Sequence, residues 1–87
     1  MNKSTVSKKF KEIVADIFRT KITQLKDDTD FVNDLNAKSV DMIALIAATE
    51  NEFGIRTNRG ETNKNTTIKE SVDYVWKKLQ AKKPTKK

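Results

Sequence analysis

The sequence has no cysteine and no histidine, and only one proline and two glycines among its 87 residues. Without cysteine the chain can form neither a disulfide nor a thiolate metal site, and it has no thiol nucleophile of its own. Without histidine it lacks the Ser-His or Cys-His pair that activates many nucleophiles. These absences exclude most hydrolase mechanisms, and because no other constellation in the sequence supports an intrinsic enzyme activity, we expect no catalytic residues.

Long apolar runs are also missing. No stretch approaches the roughly 18 apolar residues of a membrane span, and residues 1–12 have no apolar segment that would make a secretion signal. We therefore expect a cytoplasmic protein without stable membrane insertion. Leu, Ile, Val and Phe make up about a quarter of the chain, which suffices for one small core. We expect a monomer with one domain, residues 1–81, and a disordered basic tail, residues 82–87, where Pro84 cannot continue a helix.

The net charge of +6 is unevenly distributed, with an acidic segment, residues 27–54, between two basic ends. Six lysines in the last eleven residues account for the whole surplus. The predicted helices carry no concentrated basic face, and one Trp and one Tyr give few stacking platforms for bases. We expect no nucleic-acid partner, although a basic helical protein that binds nucleic acid or anionic lipid remains an alternative.

The spacing of apolar residues predicts three principal helices. The first contains an amphipathic stripe, begins at a cap supplied by Ser4 or Thr5, and ends near Phe18. The second runs from Ser39, expected to be its N-cap, to Phe53 before Gly54, and the third follows Thr67. The stripes are formed by Val6, Phe10, Ile13, Val14, Ile17 and Phe18; by Val40, Ile43, Ile46, Ala47 and Phe53; and by Ile68, Val72, Val75, Trp76 and Leu79.

Two connections join these helices. Residues 19–38 are rich in turn-forming Asp, Asn and Thr, and we expect a long loop held to the core by Phe31 and Leu35. Residues 56–66 contain no large apolar side chain, which predicts a short or irregular third-helix segment. The expected fold class is all-α, a small bundle of three principal helices with a long loop between the first and second.

The segment DFVNDLNAKSVDMIALIAATENEFGI, residues 30–55, resembles the carrier proteins of fatty-acid, polyketide and nonribosomal-peptide synthesis. Their motif is an acidic residue followed by Leu-Gly-Ala-Asp-Ser-Leu-Asp, at a junction between a loop and a helix. The corresponding residues here are Asp34-Leu35-Asn36-Ala37-Lys38-Ser39-Val40-Asp41. The similarity extends over nearly the whole chain and implies the fold of an acyl carrier protein.

The resemblance implies that Ser39 is esterified by 4'-phosphopantetheine, taken from coenzyme A by a phosphopantetheinyl transferase. The terminal thiol of that arm would hold cargo as a thioester, and acyltransferases, synthases or ligases would be the further partners. A helix start suits an anionic phosphodiester, because it presents unpaired amides and the positive end of the helix dipole. A simple N-capping role is the structural alternative for Ser39.

Lys38 departs from the family pattern, because carriers have an acidic residue immediately before the modified serine. The reversal weakens the expected attraction to basic patches on transferases and synthases. The partner face of the central helix is expected to present small residues and little charge, although an ordinary solvated face is equally consistent with the sequence. Its residues are Lys38, Val40, Asp41, Ala44, Ala47, Ala48 and Asn51.

A pocket for the acyl chain is a further implication of the resemblance. Polar residues such as Thr62 and Asn65 fall where carriers commonly bury apolar side chains, which predicts a loose lid. For most of the candidate lining residues, simple filling of the core is the alternative interpretation. The candidates are Phe31, Ile43, Ile46, Phe53, Ile55, Ile68 and Val72.

Four carboxylates, Asp27, Asp28, Asp30 and Asp34, lie close together in the sequence. The order DDTDFVND lacks the ligand spacing and the glycine of a calcium-binding loop. A structural metal is the alternative, but we interpret these residues as solvated turn carboxylates and expect no bound metal.

The favoured function is an acyl carrier in fatty-acid or specialised lipid or polyketide biosynthesis. A peptidyl or aminoacyl carrier is one alternative. Another is a carrier-like subunit that is never modified and only binds proteins, for which Lys38 is the strongest argument.

Overall fold

A computed structural model of the chain describes residues 2–81, and these residues form four α-helices. The helices are α1 (Lys3–Phe18), α2 (Ser39–Phe53), α3 (Arg59–Thr62) and α4 (Ile68–Ala81), with a 3-10 turn at Ile22–Gln24. The described range contains no named strand, only an isolated antiparallel bridge between Asp30 and Thr67. This architecture confirms the all-α prediction, with α3 as the short third segment.

Two further observations concern the C-terminal tail and the possibility of a membrane span. The predicted basic tail, residues 82–87, lies outside the described residues. Within residues 2–81, every helix is too short or too polar to cross a membrane.

Helix α1 places one stripe in the core, where Val6, Phe10 and Val14 are buried. The helix begins earlier than predicted, because the side chain of Asn2 caps it by accepting a hydrogen bond from the Thr5 amide at 2.9 Å. The expected caps Ser4 and Thr5 were wrong, since both lie inside the first turn. Asn is among the best N-capping residues, so the helix begins directly after Asn2.

The buried face of helix α2 differs from the predicted one. Its buried residues are Leu45, Thr49 and Phe53, spaced four apart on one face. Thr49 donates its hydroxyl to the Leu45 carbonyl at 2.7 Å, so this polar residue is tolerated in the core. The predicted apolar stripe of α2 was wrong in part as a buried face, because its members Val40, Ile43 and Ala47 are exposed, Val40 by 69% and Ile43 by 51%.

The C-terminal end of α2 follows the prediction. Gly54 adopts the left-handed conformation with φ of 62°, and its N–H donates to the Glu50 carbonyl. Glycine accepts this conformation without the steric penalty that a Cβ atom brings.

The long connection between α1 and α2 is bound to the start of α4 by backbone hydrogen bonds. The Phe31 N–H donates to the Thr66 carbonyl at 3.0 Å, and the Ile68 N–H donates to the Thr29 carbonyl at the same distance. The Lys69 N–H also donates to the Asp27 carbonyl at 2.8 Å. The otherwise unpaired first amides of α4 are therefore satisfied by the loop.

Phe31 anchors this loop in the hydrophobic core, as the sequence predicted. Its side chain is 1% exposed, and its ring packs edge to face on Phe10 with centroids 6.3 Å apart. The loop therefore adds a large side chain to the core that the helices enclose. The buried hydrophobic residues are Val6, Phe10, Val14, Leu25, Phe31, Leu45, Phe53, Ile55, Ile68, Val72 and Val75.

Replacing Phe31 by alanine should lower the free energy of unfolding by about 3–5 kcal/mol, because it leaves a cavity at the centre of the core. The matched control is Val32→Ala, since Val32 is the next residue along the chain and is 60% exposed. That control should change stability by less than about 0.5 kcal/mol. Urea unfolding followed by helical circular dichroism measures both, and equal effects would contradict the anchoring role.

Candidate functional site

The carboxylates of the loop before α2 are used to shape the backbone. Asp30 accepts hydrogen bonds from the amides of Val32 and Asn33 at 2.9 and 2.8 Å, and Asp34 accepts from the Asp30 amide at 2.8 Å. Asn36 adopts a left-handed conformation with φ of 58°. Within residues 2–81, no cluster of three or more Asp and Glu side chains has the arrangement of a metal site. These hydrogen bonds give Asp30 and Asp34 a structural role.

The loop ends where the Ala37 N–H donates to the Phe31 carbonyl at 2.9 Å, directly before α2. The predicted capping role of Ser39 was wrong, because Lys38 occupies the capping position and Ser39 is the first helical residue. The Lys38 side chain has no acceptor atom, but its backbone N–H donates to the Asp41 carboxylate at 3.0 Å. The Ser39 hydroxyl therefore makes no capping bond and remains on an exposed residue.

An open groove of about 280 Å³ adjoins Ser39. Its walls come from the loop, from α2 and from the α3 region, and its ionisable lining residues are Lys38 and Arg59. No ion pair joins either cation to a carboxylate of residues 2–81. An exposed hydroxyl, uncapped helix amides and two cations form a set of groups that fits a serine-linked phosphodiester. The groove is lined by Val32, Ala37, Lys38, Ser39, Met42, Ile43, Ile46, Arg59 and Asn63.

A second, much smaller cavity of about 40 Å³ lies inside the bundle. Met42 and Ile46 line both the groove and this cavity, so the two spaces adjoin at these side chains. Several lining residues have polar side chains, and the volume is enough for only a few water molecules. The cavity is lined by Phe10, Met42, Leu45, Ile46, Thr49, Thr57, Thr62, Asn65, Ser71, Tyr74 and Val75.

The predicted acyl-pocket residues do not line one common space in the structure. Ile46 lines both spaces, and Ile43 lines the groove while remaining half exposed. The other five line neither space and are buried in the core, where they pack against the helices. They are Phe31, Phe53, Ile55, Ile68 and Val72.

The predicted partner face of α2 forms one largely exposed surface around Ser39. Asp41 and Ala48 are half-buried, whereas the other predicted members are exposed. Val32 and Ile43 add exposed apolar area beside them. The exposed predicted residues are Lys38, Val40, Ala44, Ala47 and Asn51.

Polar contacts hold the segment around α3 in place. The carboxylate of Glu50 accepts hydrogen bonds from the Thr57 hydroxyl at 2.7 Å and from the Thr57 amide at 2.8 Å. The Tyr74 hydroxyl donates to Glu61 at 2.7 Å and accepts from the Asn58 amide at 3.2 Å. We call these two groups of contacts the α3 anchors.

The α3 anchors shift the pKa values of their ionisable groups. The Thr57 hydroxyl and amide hold the pKa of Glu50 below its ordinary value, and the Tyr74 hydroxyl does the same for the pKa of Glu61. Desolvation, followed by the Glu61 hydrogen bond, raises the pKa of Tyr74. The anchors therefore favour charged carboxylates at neutral pH.

Sequence reasoning missed five of the groove residues, which are Val32, Ala37, Met42, Arg59 and Asn63. Arg59 lies in a segment without apolar periodicity, so nothing in the sequence predicted that it would face the start of α2. Met42 belongs to α2 at a position three residues after Ser39, and that helical spacing was a usable signal.

Comparisons with known proteins cover most of the chain. A family model described as a phosphopantetheine attachment site matches residues 8–75. The acyl carrier protein of Buchnera aphidicola subsp. Schizaphis graminum (strain Sg) is 35% identical over 72 residues, which are 83% of this chain and 91% of that protein. The fold is similar to that of the acyl carrier protein from Enterococcus faecalis, with a TM-score of 0.77 and 27% identity over 90% of this chain and 99% of that one.

The Glu50 anchor makes stability depend on pH in a defined direction. Because the folded-state pKa of Glu50 is lowered, its contribution is full above the ordinary value of 4.5 and is lost as the pH falls through the folded-state value. The melting temperature of the parent should exceed that of Glu50→Gln at pH 7, and the difference should shrink near pH 3. Thermal melts followed by circular dichroism measure this difference.

The control for this experiment is Glu52→Gln on the same helix. Within residues 2–81, the one ion pair of Glu52 is an exposed contact with Lys9 at 3.6 Å, so its replacement should change the melting temperature little at either pH. A parent-to-Glu50→Gln difference that stayed constant from pH 7 to pH 3 would contradict the anchor.

Proposed function

The chain belongs to the acyl carrier protein family, whose members bear covalent 4'-phosphopantetheine, and from this premise we propose that it carries acyl groups as thioesters on an arm attached to Ser39. The exposed Ser39 hydroxyl at the start of α2, beside an open groove, is the observation that supports the attachment. When bound, the arm supplies the thiol that this cysteine-free chain lacks.

In the attachment of the arm, this chain positions the serine, and the transferase supplies the catalytic groups. Ser39 forms a new bond from its oxygen to phosphorus while a phosphoanhydride bond of coenzyme A breaks and adenosine 3',5'-bisphosphate leaves. The ionisable side chains that line the groove are Lys38 and Arg59, and no carboxylate lies among its lining residues. The base that accepts the serine proton therefore belongs to the phosphopantetheinyl transferase, and the carrier has no catalytic residue of its own.

The interior cavity bears on the class of cargo. At about 40 Å³ it is too small for a long aliphatic chain unless the side chains around it move, and polar residues such as Asn65 and Ser71 contribute to its lining. A short or polar acyl group lying in the outer groove requires no such rearrangement.

The exposed surface around Ser39 supplies a docking area for the transferase and for the enzymes that load and unload cargo. Apolar and small side chains dominate it, with Val40 69% exposed and Ile43 51% exposed. Such a surface matches partners through shape and apolar contact, with little electrostatic steering.

The second candidate function is a protein-interaction subunit that never receives the arm. The observation favouring it is Lys38, an exposed cation directly before Ser39 where carriers have an acid. Docking by a transferase with a basic patch is weakened there by like-charge repulsion.

Intact mass measurement after incubation with coenzyme A and a broad-specificity phosphopantetheinyl transferase tests the proposal. We expect one added phosphopantetheine on the parent and none on Ser39→Ala. The control Ser4→Ala removes an exposed serine of α1 and should be modified like the parent. Modification of Ser39→Ala would contradict attachment at Ser39.

A charge-reversal pair distinguishes the two candidate functions. Lys38→Asp should be modified faster than the parent, because it restores attraction to a basic transferase patch. Lys8→Asp, an equal change of charge at an exposed site on α1, should have no such effect. Failure of the parent and of Lys38→Asp to accept the arm while both remain folded would favour the interaction subunit.

A further inference from the structure

The groove beside Ser39 has two cations on walls that come from different parts of the chain. Lys38 precedes the start of α2, and Arg59 is the first residue of α3. Both line the same groove as Ser39, and both residues are exposed. The fold therefore brings two positive charges, 21 positions apart in sequence, to the serine that the proposed function modifies.

Neither cation is engaged elsewhere in residues 2–81. The ion pairs of this range involve Lys3, Lys9, Lys11, Lys69 and Lys78, and no side-chain hydrogen bond uses Lys38 or Arg59. The carboxylate nearest in sequence to Ser39, that of Asp41, accepts a hydrogen bond from the Lys38 amide and does not line the groove. The positive charge of the groove is consequently available to an anionic ligand.

We propose that Lys38 and Arg59 together hold the phosphodiester of the arm, fixing it against the groove. This inference rests on the proposed attachment at Ser39 and adds a binding role for residues of this chain. Arg59 is the more specific partner, because its planar guanidinium can donate two parallel hydrogen bonds to phosphate oxygens. Lys38 contributes a point charge from the residue directly before Ser39.

Holding the phosphodiester has a consequence for the rest of the arm. Ser39 shares this groove with the apolar side chains of Met42, Ile43 and Ile46. An arm fixed at its phosphate would lie beside these side chains, so its motion in solvent would be restricted.

Melting temperatures of paired unmodified and arm-bearing proteins test the inference. Addition of the arm should raise the melting temperature of the parent by about 2–5 °C at low salt, and Arg59→Gln should lose at least half of that gain. Arg59→Lys keeps the charge but cannot donate two parallel hydrogen bonds. Addition of the arm should therefore raise its melting temperature by an intermediate amount. High salt should reduce the gain in the parent through screening.

The control is Arg56→Gln, because Arg56 is an exposed arginine three residues earlier that lines a different groove, with Ile55 and Lys78. Addition of the arm should raise the melting temperature of Arg56→Gln as much as that of the parent. Comparing each variant with its own unmodified form removes any change in basal stability. The ³¹P resonance of the phosphodiester provides a direct second measurement, and it should shift in Arg59→Gln but not in Arg56→Gln.

The outcomes separate this inference from the proposed function. If the parent gains the arm but Arg59→Gln keeps the full stabilisation and the parental ³¹P shift, the phosphodiester is not held and only the inference is overturned. If the parent cannot be modified at Ser39 at all, the proposed function and the inference fail together.

Discussion

The burial of Phe31 couples the long loop to three parts of the bundle at once. Its ring packs on Phe10 of α1, its N–H donates to the Thr66 carbonyl before α4, and its carbonyl accepts from Ala37 just before α2. The geometry of the Ser39 region follows from these contacts, because the start of α2 is fixed relative to the core by the turn that Phe31 closes. A site carried by a loop of this length needs such an anchor. An unanchored loop would lose conformational entropy each time it became ordered against a partner.

Helix α3 is held by a different kind of interaction. None of its four residues is buried, and its connections to α2 and α4 use Glu50, Glu61 and Tyr74. Opening this segment breaks hydrogen bonds and exposes little apolar surface, so its local stability is lower than that of the main helices. The same segment provides Arg59 to the groove and Thr62 to the interior cavity. A rigid attachment point and a more easily displaced wall thus meet at the site where cargo would be held.

The sequence predicted the helices and the role of Phe31, because apolar spacing directly reflects burial. It placed the buried face of α2 incorrectly, since Thr49 is polar by composition yet is buried once its hydroxyl bonds to Leu45. Ser39 was identified correctly as a helix-start residue, but its exact place depended on Lys38 taking the capping position. Arg59 could not be found at all, because its proximity to Ser39 arises from tertiary packing and leaves no periodic signal in residues 56–66.

The most direct test of the account is tandem mass spectrometry of the protein isolated from the cells that produce it. After proteolysis, the peptide containing Ser39 should release a pantetheine fragment on collision, and any cargo should be present as a thioester on that fragment. The mass of the cargo would also identify the pathway. Recovery of this peptide only in its unmodified form, from cells that modify their other carrier proteins, would contradict the carrier function.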